Sequence, residues 1–337
     1  MVDGLGKLGE FGIIERIGKR AVCRRSEIVT GIGDDCAVLD AGEDMRFLVT
    51  TDMLVEGTHF LRGKITAQQL GYKSLAVNLS DIAAMGGVPF AAFLALGLTA
   101  DLDEIFLDGF VDGLLECAGQ HDVDLAGGDT VAPPGEVVTC LTVIGKAPAS
   151  AILTRAGARP GDRIMLGGPV GDSRAGLHLV LGESAGDLAA DERRRLLDAH
   201  LQPRPQVALG RLLSERHMAS AAIDVSDGVA QDLSHICKAS GTGAELDCGE
   251  LPLSDAARKL AAAAGEDAVD WGLGGGEDFV LLFTVEDGSE REVIDACRSE
   301  LGIEVRAVGQ ITERLGIRIK RDEHWTEGRI DGYDHFR

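Results

Sequence analysis

The feature that most constrains this chain is a device it repeats: a short apolar run, then glycine or hydroxyl residues, then carboxylates. Phe47–Leu48–Val49 reads as a buried strand, and Thr50–Thr51–Asp52 stands at its end, followed by Gly57–Thr58–His59. Ile28–Val29 leads to Gly31–Ile32–Gly33–Asp34–Asp35, where glycines permit a tight turn presenting two adjacent acids. Leu125–Ala126–Gly127–Gly128–Asp129–Thr130 reads as another strand end with a glycine pair and an acid. Ala221–Ala222–Ile223–Asp224–Val225–Ser226–Asp227–Gly228 repeats the pattern, with alternation expected to put Asp224 and Ser226 on one strand face and Asp227 on the other. Leu273–Gly274–Gly275–Gly276–Glu277–Asp278 then feeds a strand at Phe279–Val285. In open α/β sheets, ligands gather beyond the carboxyl ends of strands, so these acids sit where chemistry is expected.

The intervening segments give an α/β (α+β) pattern. A helix is expected from about Ala67 to Ala84, started by Thr66 and Gln69 at capping-box spacing and carrying Leu70, Leu75, Leu79 and Ile82 as an apolar stripe. Within that stripe lie Asn78 and Asp81. An acid near a helix C-terminus opposes the dipole and needs a cation or donors. Strands at Ala91–Leu98 and Val137–Ile144 bracket a helix at Leu102–Gln120, which predicts a sheet with helices on one face. With 337 residues the chain exceeds one typical core, and a turn at Pro160–Gly161–Asp162 follows a change of pattern near Ala147–Ala158. Two domains are expected, 1–148 and 149–337. In the second, Gly167–Gly168–Pro169–Val170–Gly171–Asp172–Ser173 precedes a helix in a strand–glycine–helix order that suits an anion, without the Gly-Lys-Ser/Thr of a Walker loop. Helices are expected at about 190–200, 206–214 and 291–301, and a short amphipathic one at 9–18 with Phe11, Ile14 and Ile17 on one face.

A formal charge of −22 argues against nucleic acid or an anionic membrane as partner. Seven scattered cysteines without a CxxC pair fit reduced thiols better than disulfides or zinc. No apolar leader opens the chain and no run approaches the roughly 18 apolar residues of a membrane helix, so a cytoplasmic location is expected.

Asp34, Asp35, Asp52, Asp81, Asp129, Asp224, Asp227, Glu277 and Asp278 share one local context. Gathered without metal they repel one another; with Mg²⁺, a hard cation that takes oxygen ligands and phosphate, the gathering makes sense. The acids therefore point to a multi-Mg²⁺ phosphate site, with Arg155 and Lys73 as helpers in charge neutralisation.

These motifs, with Ala76–Val77–Asn78–Leu79–Ser80–Asp81–Ile82–Ala83–Ala84–Met85–Gly86 and Gly332–Tyr333–Asp334–His335–Phe336, resemble in order the thiamine-monophosphate kinases of the aminoimidazole-ribonucleotide-synthetase-like superfamily. The resemblance runs over essentially the whole chain. It implies two α/β domains and a homodimer in which the N-terminal sheets together form a barrel. The implied reaction converts ATP and thiamine monophosphate to ADP and thiamine diphosphate by direct in-line transfer, with several Mg²⁺ ions and no phosphoenzyme. The implied metal ligands are Asp35, Thr50, Thr51, Asp52, Asp81, Asp129, Asp224 and Asp227. ATP would meet Gly128, Asp129, Arg155 and Ser226, and the thiamine phosphate His59, Glu277 and Tyr333. Asp34 and Asp278 accompany the motifs without being expected as direct ligands.

The acceptor side also has a rationale in the residues themselves. The chain has two tyrosines and two tryptophans, so Tyr333 stands out as a face for a thiazolium or pyrimidine, and Glu277 suits a cation or an amino group. Tyr333 as a packing anchor and His59 as a backbone-bonded loop residue stay open. So does a selenophosphate-synthetase-like relative, although Cys23 lacks a glycine-rich setting, and so does a non-catalytic nucleotide or cation sensor.

Overall fold

The computed structural model describes residues 9–21, 23–183, 186–322 and 324–328. After α1 (Gly9–Gly18), the first half runs β1 (Ile28–Thr30), β2 (Ala37–Gly42), β3 (Met45–Val55), α2 (Ala67–Ala84), β4 (Val88–Gly97), α3 (Glu104–His121), β5 (Asp124–Val131) and β6 (Val138–Pro148). These strands form one six-stranded sheet in the order β1-β2-β3-β6-β4-β5, antiparallel except for the β4–β5 pair. Glu43 and Asp44, both at positive φ (50° and 59°), close the β2–β3 hairpin, the geometry whose twist matches paired strands. Along β3, Leu48, Thr50 and Leu54 are buried while Phe47, Thr51 and Met53 are exposed, so one sheet face is covered and the other open.

Helix α2 covers that inner face. Thr66 and Gln69 close the expected capping box, and nearly every residue from Leu70 to Ala84 is buried. A helix buried all round needs partners on every side. The sheet supplies one, α3 another, and a helix of the second domain a third. The α2–α3 contact is close because glycines interlock: a methyl on Gly71 would stand 1.9 Å from the Phe110 carbonyl oxygen, and one on Gly113 1.8 Å from that of Gln68.

The second domain comprises β7 (Arg163–Leu166), α4 (Asp172–Leu181), α5 (Ala190–Leu201), α6 (Val207–Glu215), β8 (Ala221–Asp224), α7 (Val229–Ser240), β9 (Gly243–Asp247), α8 (Asp255–Ala264), α9 (Ala268–Gly274), β10 (Leu281–Val285), α10 (Glu290–Ala296), β11 (Arg306–Thr312), β12 (Gly316–Arg321) and β13 (His324–Glu327). Its strands form a mixed sheet in the order β13-β12-β9-β11-β7-β10-β8. Each domain has its own apolar core, and a third cluster joins Ala83 and Ala84 of α2 to Leu209, Leu213 and Phe283 across the seam.

Gly127–Thr130 lies, as expected, at a strand end, in the last residues of edge strand β5, which runs to Val131. Several expectations are corrected. Strand β8 ends at Asp224, so Ser226 and Asp227 lie in a bend and strand alternation does not govern them. Strand β10 begins at Leu281 because Phe279 is at φ 49°, outside the extended region. The last helix stops at Ala296 and continues as a π turn, Cys297–Leu301. Between 241 and 272, where no element is drawn from the sequence, lie β9, α8 and most of α9. Among the described residues, no helix is long and apolar enough to cross a membrane.

Candidate active site

Strand β3 and helix α2 build the centre of the site. Alternation turns Thr50 and Asp52 inward, where Thr50 Oγ1 donates to Asp81 Oδ2 and Asn78 Oδ1 accepts from the Asp52 backbone N–H at 3.1 Å. From the second domain, Asp224 at the end of β8 meets Ser80 of α2, whose hydroxyl donates to Oδ2 at 2.6 Å. Carboxylate oxygens of Asp35, Asp81 and Asp224 all lie within 4.8 Å of one another. Burial lifts the carboxyl of Asp52 to about 6 and that of Asp224 to about 7, with the charge of Asp35 adding to both. Asp81 is pushed well above the carboxylate range by burial and then by Asp52, Asp224 and Asp35. Such an arrangement holds protons, or a cation that replaces them.

Asp35 lies against Arg155 of the interdomain segment, with Nη2 2.6 Å from Oδ1. Its other oxygen, Oδ2, is buried without a hydrogen-bond partner. Asp34 is spent structurally: it accepts from the backbone N–H of Asp35 and of Arg155. The guanidinium of Arg155 thus starts out paired with a carboxylate.

Beside this group, oxygens of Asp227 and Asp232 and a ring nitrogen of His235 also come within 4.8 Å of one another. Asp232 accepts from the N–H groups of Asp227 and Gly228 at the start of α7, and burial pushes it well above the usual range. Burial lowers His235 to about 4, leaving a neutral imidazole.

The third part is formed by Glu277. Its N–H donates to the Ser226 carbonyl at 2.7 Å, in a loop where Gly276, Glu277 and Phe279 all have positive φ. Lys73 Nζ of α2 lies 2.9 Å from Glu277 Oε1, and His200 Nδ1 of α5 lies 3.3 Å from Oε2. Burial raises the Glu277 carboxyl, but Lys73, His200 and His59 together more than offset it, Lys73 foremost among them, and the net displacement is downward. His59 accepts the Val55 N–H at Nδ1, which puts the proton of the neutral ring on Nε2.

Two sequence-expected ligands point elsewhere. Thr51 faces outward and donates to the Leu141 carbonyl at 3.0 Å. Asp129 is level with Ala95, which pairs with Cys140, itself opposite Met53; the register therefore puts Asp129 on the same outward face as Thr51. Gly128 has a structural reason to be glycine, because a methyl there would stand 1.9 Å from the Leu94 carbonyl oxygen. The loop before α4 is filled by the chain's own acid: Asp278 accepts from Gly171 N–H at 2.7 Å and Ser173 N–H at 3.0 Å. Tyr333 lies outside the described residues.

Comparison with known proteins gives this geometry a family. The models for the N-terminal and C-terminal domains of AIR synthase related protein match residues 33–147 and 159–322. The thiamine-monophosphate kinase of Escherichia coli is 42% identical over 330 residues, covering 97% of this chain and 98% of that protein. The chain belongs to the thiamine-monophosphate kinase family. A solved structure described as AaThiL complexed with AMPPCP and TMP has a TM-score of 0.86 at 30% identity, covering 99% of each chain. The thiamine-monophosphate kinase of Stenotrophomonas maltophilia has a TM-score of 0.75 at 36% identity, covering 92% of this chain and 96% of that one.

As a thiamine-phosphate kinase with the two-domain fold of that family, the chain carries site residues that its motifs did not single out. Ser80 was visible only as part of the helix, and its partner Asp224 is 144 positions away. Asp232 and His235 follow Asp227 on the first turns of α7, a spacing that brings them back to one side. His200 carries no local signal at all. Lys73, expected as a phosphate helper, instead pairs with Glu277.

Proposed function

We propose that this kinase passes the γ-phosphoryl group of ATP in line to the phosphate of thiamine monophosphate, giving ADP and thiamine diphosphate without a phosphoenzyme, and that several Mg²⁺ ions take part. The observation that carries the reading is the meeting of Asp35, Asp81 and Asp224 from both domains, with Asp35 Oδ2 buried and orphaned. The donors are oxygens, they are acidic, and they are held apart from bulk water, which suits a hard divalent cation. Bound Mg²⁺ supplies charge neutralisation for the phosphates. Asp35, Thr50, Asp52, Asp81, Asp224 and Asp227 are the proposed ligands. Thr51 and Asp129 keep that proposed role on the family resemblance alone, since they face outward. Arg155, Ser226 and Gly128, with Asp129, are assigned to ATP. His59, Glu277 and Tyr333 are assigned to the thiamine phosphate.

The residues do the positioning. Asn78 holds the β3 backbone at Asp52, Ser80 holds Asp224, and the strained loop holds Glu277 across the seam. Phosphoryl transfer asks for little more from a protein than such placement and charge balance.

A homodimer through the N-terminal sheets is part of the same proposal. It is supported by the open sheet face, where Phe47, Met53, Phe93 and Leu125 are exposed beside Thr51. The domain boundary at 148/149 fits the interval between the two matched regions, 33–147 and 159–322. Seven unpaired cysteines suit a cytoplasmic location.

The test is one reaction: purified protein, Mg-ATP and thiamine monophosphate, with thiamine diphosphate read by chromatography and EDTA and thiamine controls beside it. Product that requires both the metal and the monophosphate is expected. Mg-ATP binding without product would replace the kinase reading with that of a sensor.

A further inference from the structure

Among the described residues Lys73 is the largest fully buried side chain, 1% exposed, on a helix whose other buried polar groups, Ser74, Asn78 and Ser80, are uncharged. A buried ammonium without a partner is strongly unfavourable, and replacing an ion pair by apolar side chains is often neutral or stabilising. Its retention therefore asks for a reason beyond stability. Its ion-pair partner, Glu277, belongs to the other domain, is 30% exposed, and sits at φ 57°, a conformation that is costly for a non-glycine residue. The two carboxylate oxygens are held separately, Oε1 by Lys73 and Oε2 by His200, whose Nδ1 also lies 3.1 Å from Ser173 Oγ.

We propose that Lys73 is the positioning residue of the acceptor side: from the first domain it fixes Glu277 of the second, ionised and in one orientation, for recognition of the thiamine moiety. This rests on the assignment of Glu277 to thiamine monophosphate above. Because Lys73 already balances its charge, Glu277 serves as a directed hydrogen-bond acceptor, suited to an amino group, rather than as a bare counter-charge. Burial depresses the basicity of His200 to about 4, so the neutral ring adds a hydrogen-bonding partner and no second positive charge.

The experiment is a double-mutant cycle on the full chain, with Lys73→Met, Glu277→Gln, the double variant and Lys73→Arg. KM for thiamine monophosphate, KM for Mg-ATP and Tm are measured for each. Lys73→Met is expected to raise the KM for thiamine monophosphate at least tenfold and leave that for Mg-ATP within about twofold, and Lys73→Arg to recover part of the loss. The double variant, having a neutral pair, is expected to regain Tm but keep the KM of Glu277→Gln alone. Recovery of both Tm and KM in the double variant would overturn the proposal, because the pair would then be structural only. Equal loss toward both substrates would overturn it as well. Should Lys73→Met not fold, the double variant and Lys73→Arg still separate these outcomes. Absence of turnover in the unaltered protein would remove the kinase reading instead. The crystal structure of Lys73→Met or Lys73→Arg then judges the pair directly, by whether Glu277 leaves its place while Asp81 and Asp224 keep theirs.

Discussion

Ser80 of α2 donates its hydroxyl proton to Asp224 of β8 across 2.6 Å, joining the two domains at the carboxylate group itself. Both residues are buried, so the contact is shielded from water. Ser80→Ala is expected to lose about 1.5–3 kcal/mol of stability, the usual worth of a hydrogen bond to a charged group. It also removes what restrains Asp224, so half-maximal activity should require more Mg²⁺. Urea melts and a Mg²⁺ titration of activity check the two effects. An unchanged Mg²⁺ requirement would confine Ser80 to a packing role.

Asp81 is held among Asp52, Asp224 and Asp35, all of which push its carboxyl upward. Asp81→Asn removes that conflict without changing shape. The metal-free variant is expected to melt higher than the parent by roughly 1–3 kcal/mol of stability while phosphoryl transfer falls at least a hundredfold, the pattern of a site that sacrifices stability for function. Thermal melts in EDTA and the chromatographic assay measure both. A variant that is less stable and still active would remove Asp81 from the proposed metal ligands.

Folded-state values of about 6 for Asp52 and about 7 for Asp224 lie above the ordinary carboxylate value near 4. Between roughly pH 4 and 7 the folded, metal-free protein thus binds more protons than the unfolded chain. Their contribution to stability is complete below about 4 and is lost as pH rises through 6 to 7. Mg²⁺ competes with those protons, so its stabilising effect grows over the same window. The rise in Tm on adding Mg²⁺ should be larger at about pH 8 than at about pH 5.5. Calorimetry in two buffers of different ionisation heat should show proton release on binding. Equal Tm shifts at both values would contradict the proposed ligands.

Arg155→Ala leaves Asp35 buried beside an empty space, and breaking such a pair costs about 3–5 kcal/mol when fully buried, somewhat less here because the guanidinium is partly exposed. Added Mg²⁺ offers Asp35 a replacement cation, so the deficit measured by urea melts in EDTA should shrink in its presence. A deficit indifferent to Mg²⁺ would separate Asp35 from the metal.

Much of the fold was legible because its signals are local. Thr66 and Gln69 announced α2, the run at Phe47–Val49 announced β3, and the glycine–acid motifs at Asp35 and Asp224, though not the one at Asp129, marked where carboxylates converge. Alternation alone also implies that Thr50 and Thr51 cannot both face inward, which is how they stand. The segment 241–272 was harder: the buried face of α8 is built mostly of small alanines, Ala256, Ala257 and Ala261 beside Leu260, although Ser254 caps the helix and Gly265 ends it. Least legible were the pairings between distant positions. Nothing near Gly167–Ser173 reveals that Asp278 fills that helix start, because the contact spans more than 100 positions within the second domain, and nothing near Lys73 reveals Glu277, because that pair exists only where the two domains meet.

The glycine interlock of α2 with α3 has a metric consequence. Lys73 and Asp81 stand on one rigid helix, about 12 Å apart along its axis at 1.5 Å per residue. With Gly71 wedged against Phe110, that helix has little freedom to slide. Helix α2 is therefore a ruler: it sets, in whole residues, how far Glu277, the carboxylate proposed to meet the acceptor, stands from those proposed to gather metal for the phosphates. Deleting one residue between Lys73 and Asp81 would shorten the gauge by about 1.5 Å and swing one mark about 100° around the axis, leaving each end intact and the two no longer in register.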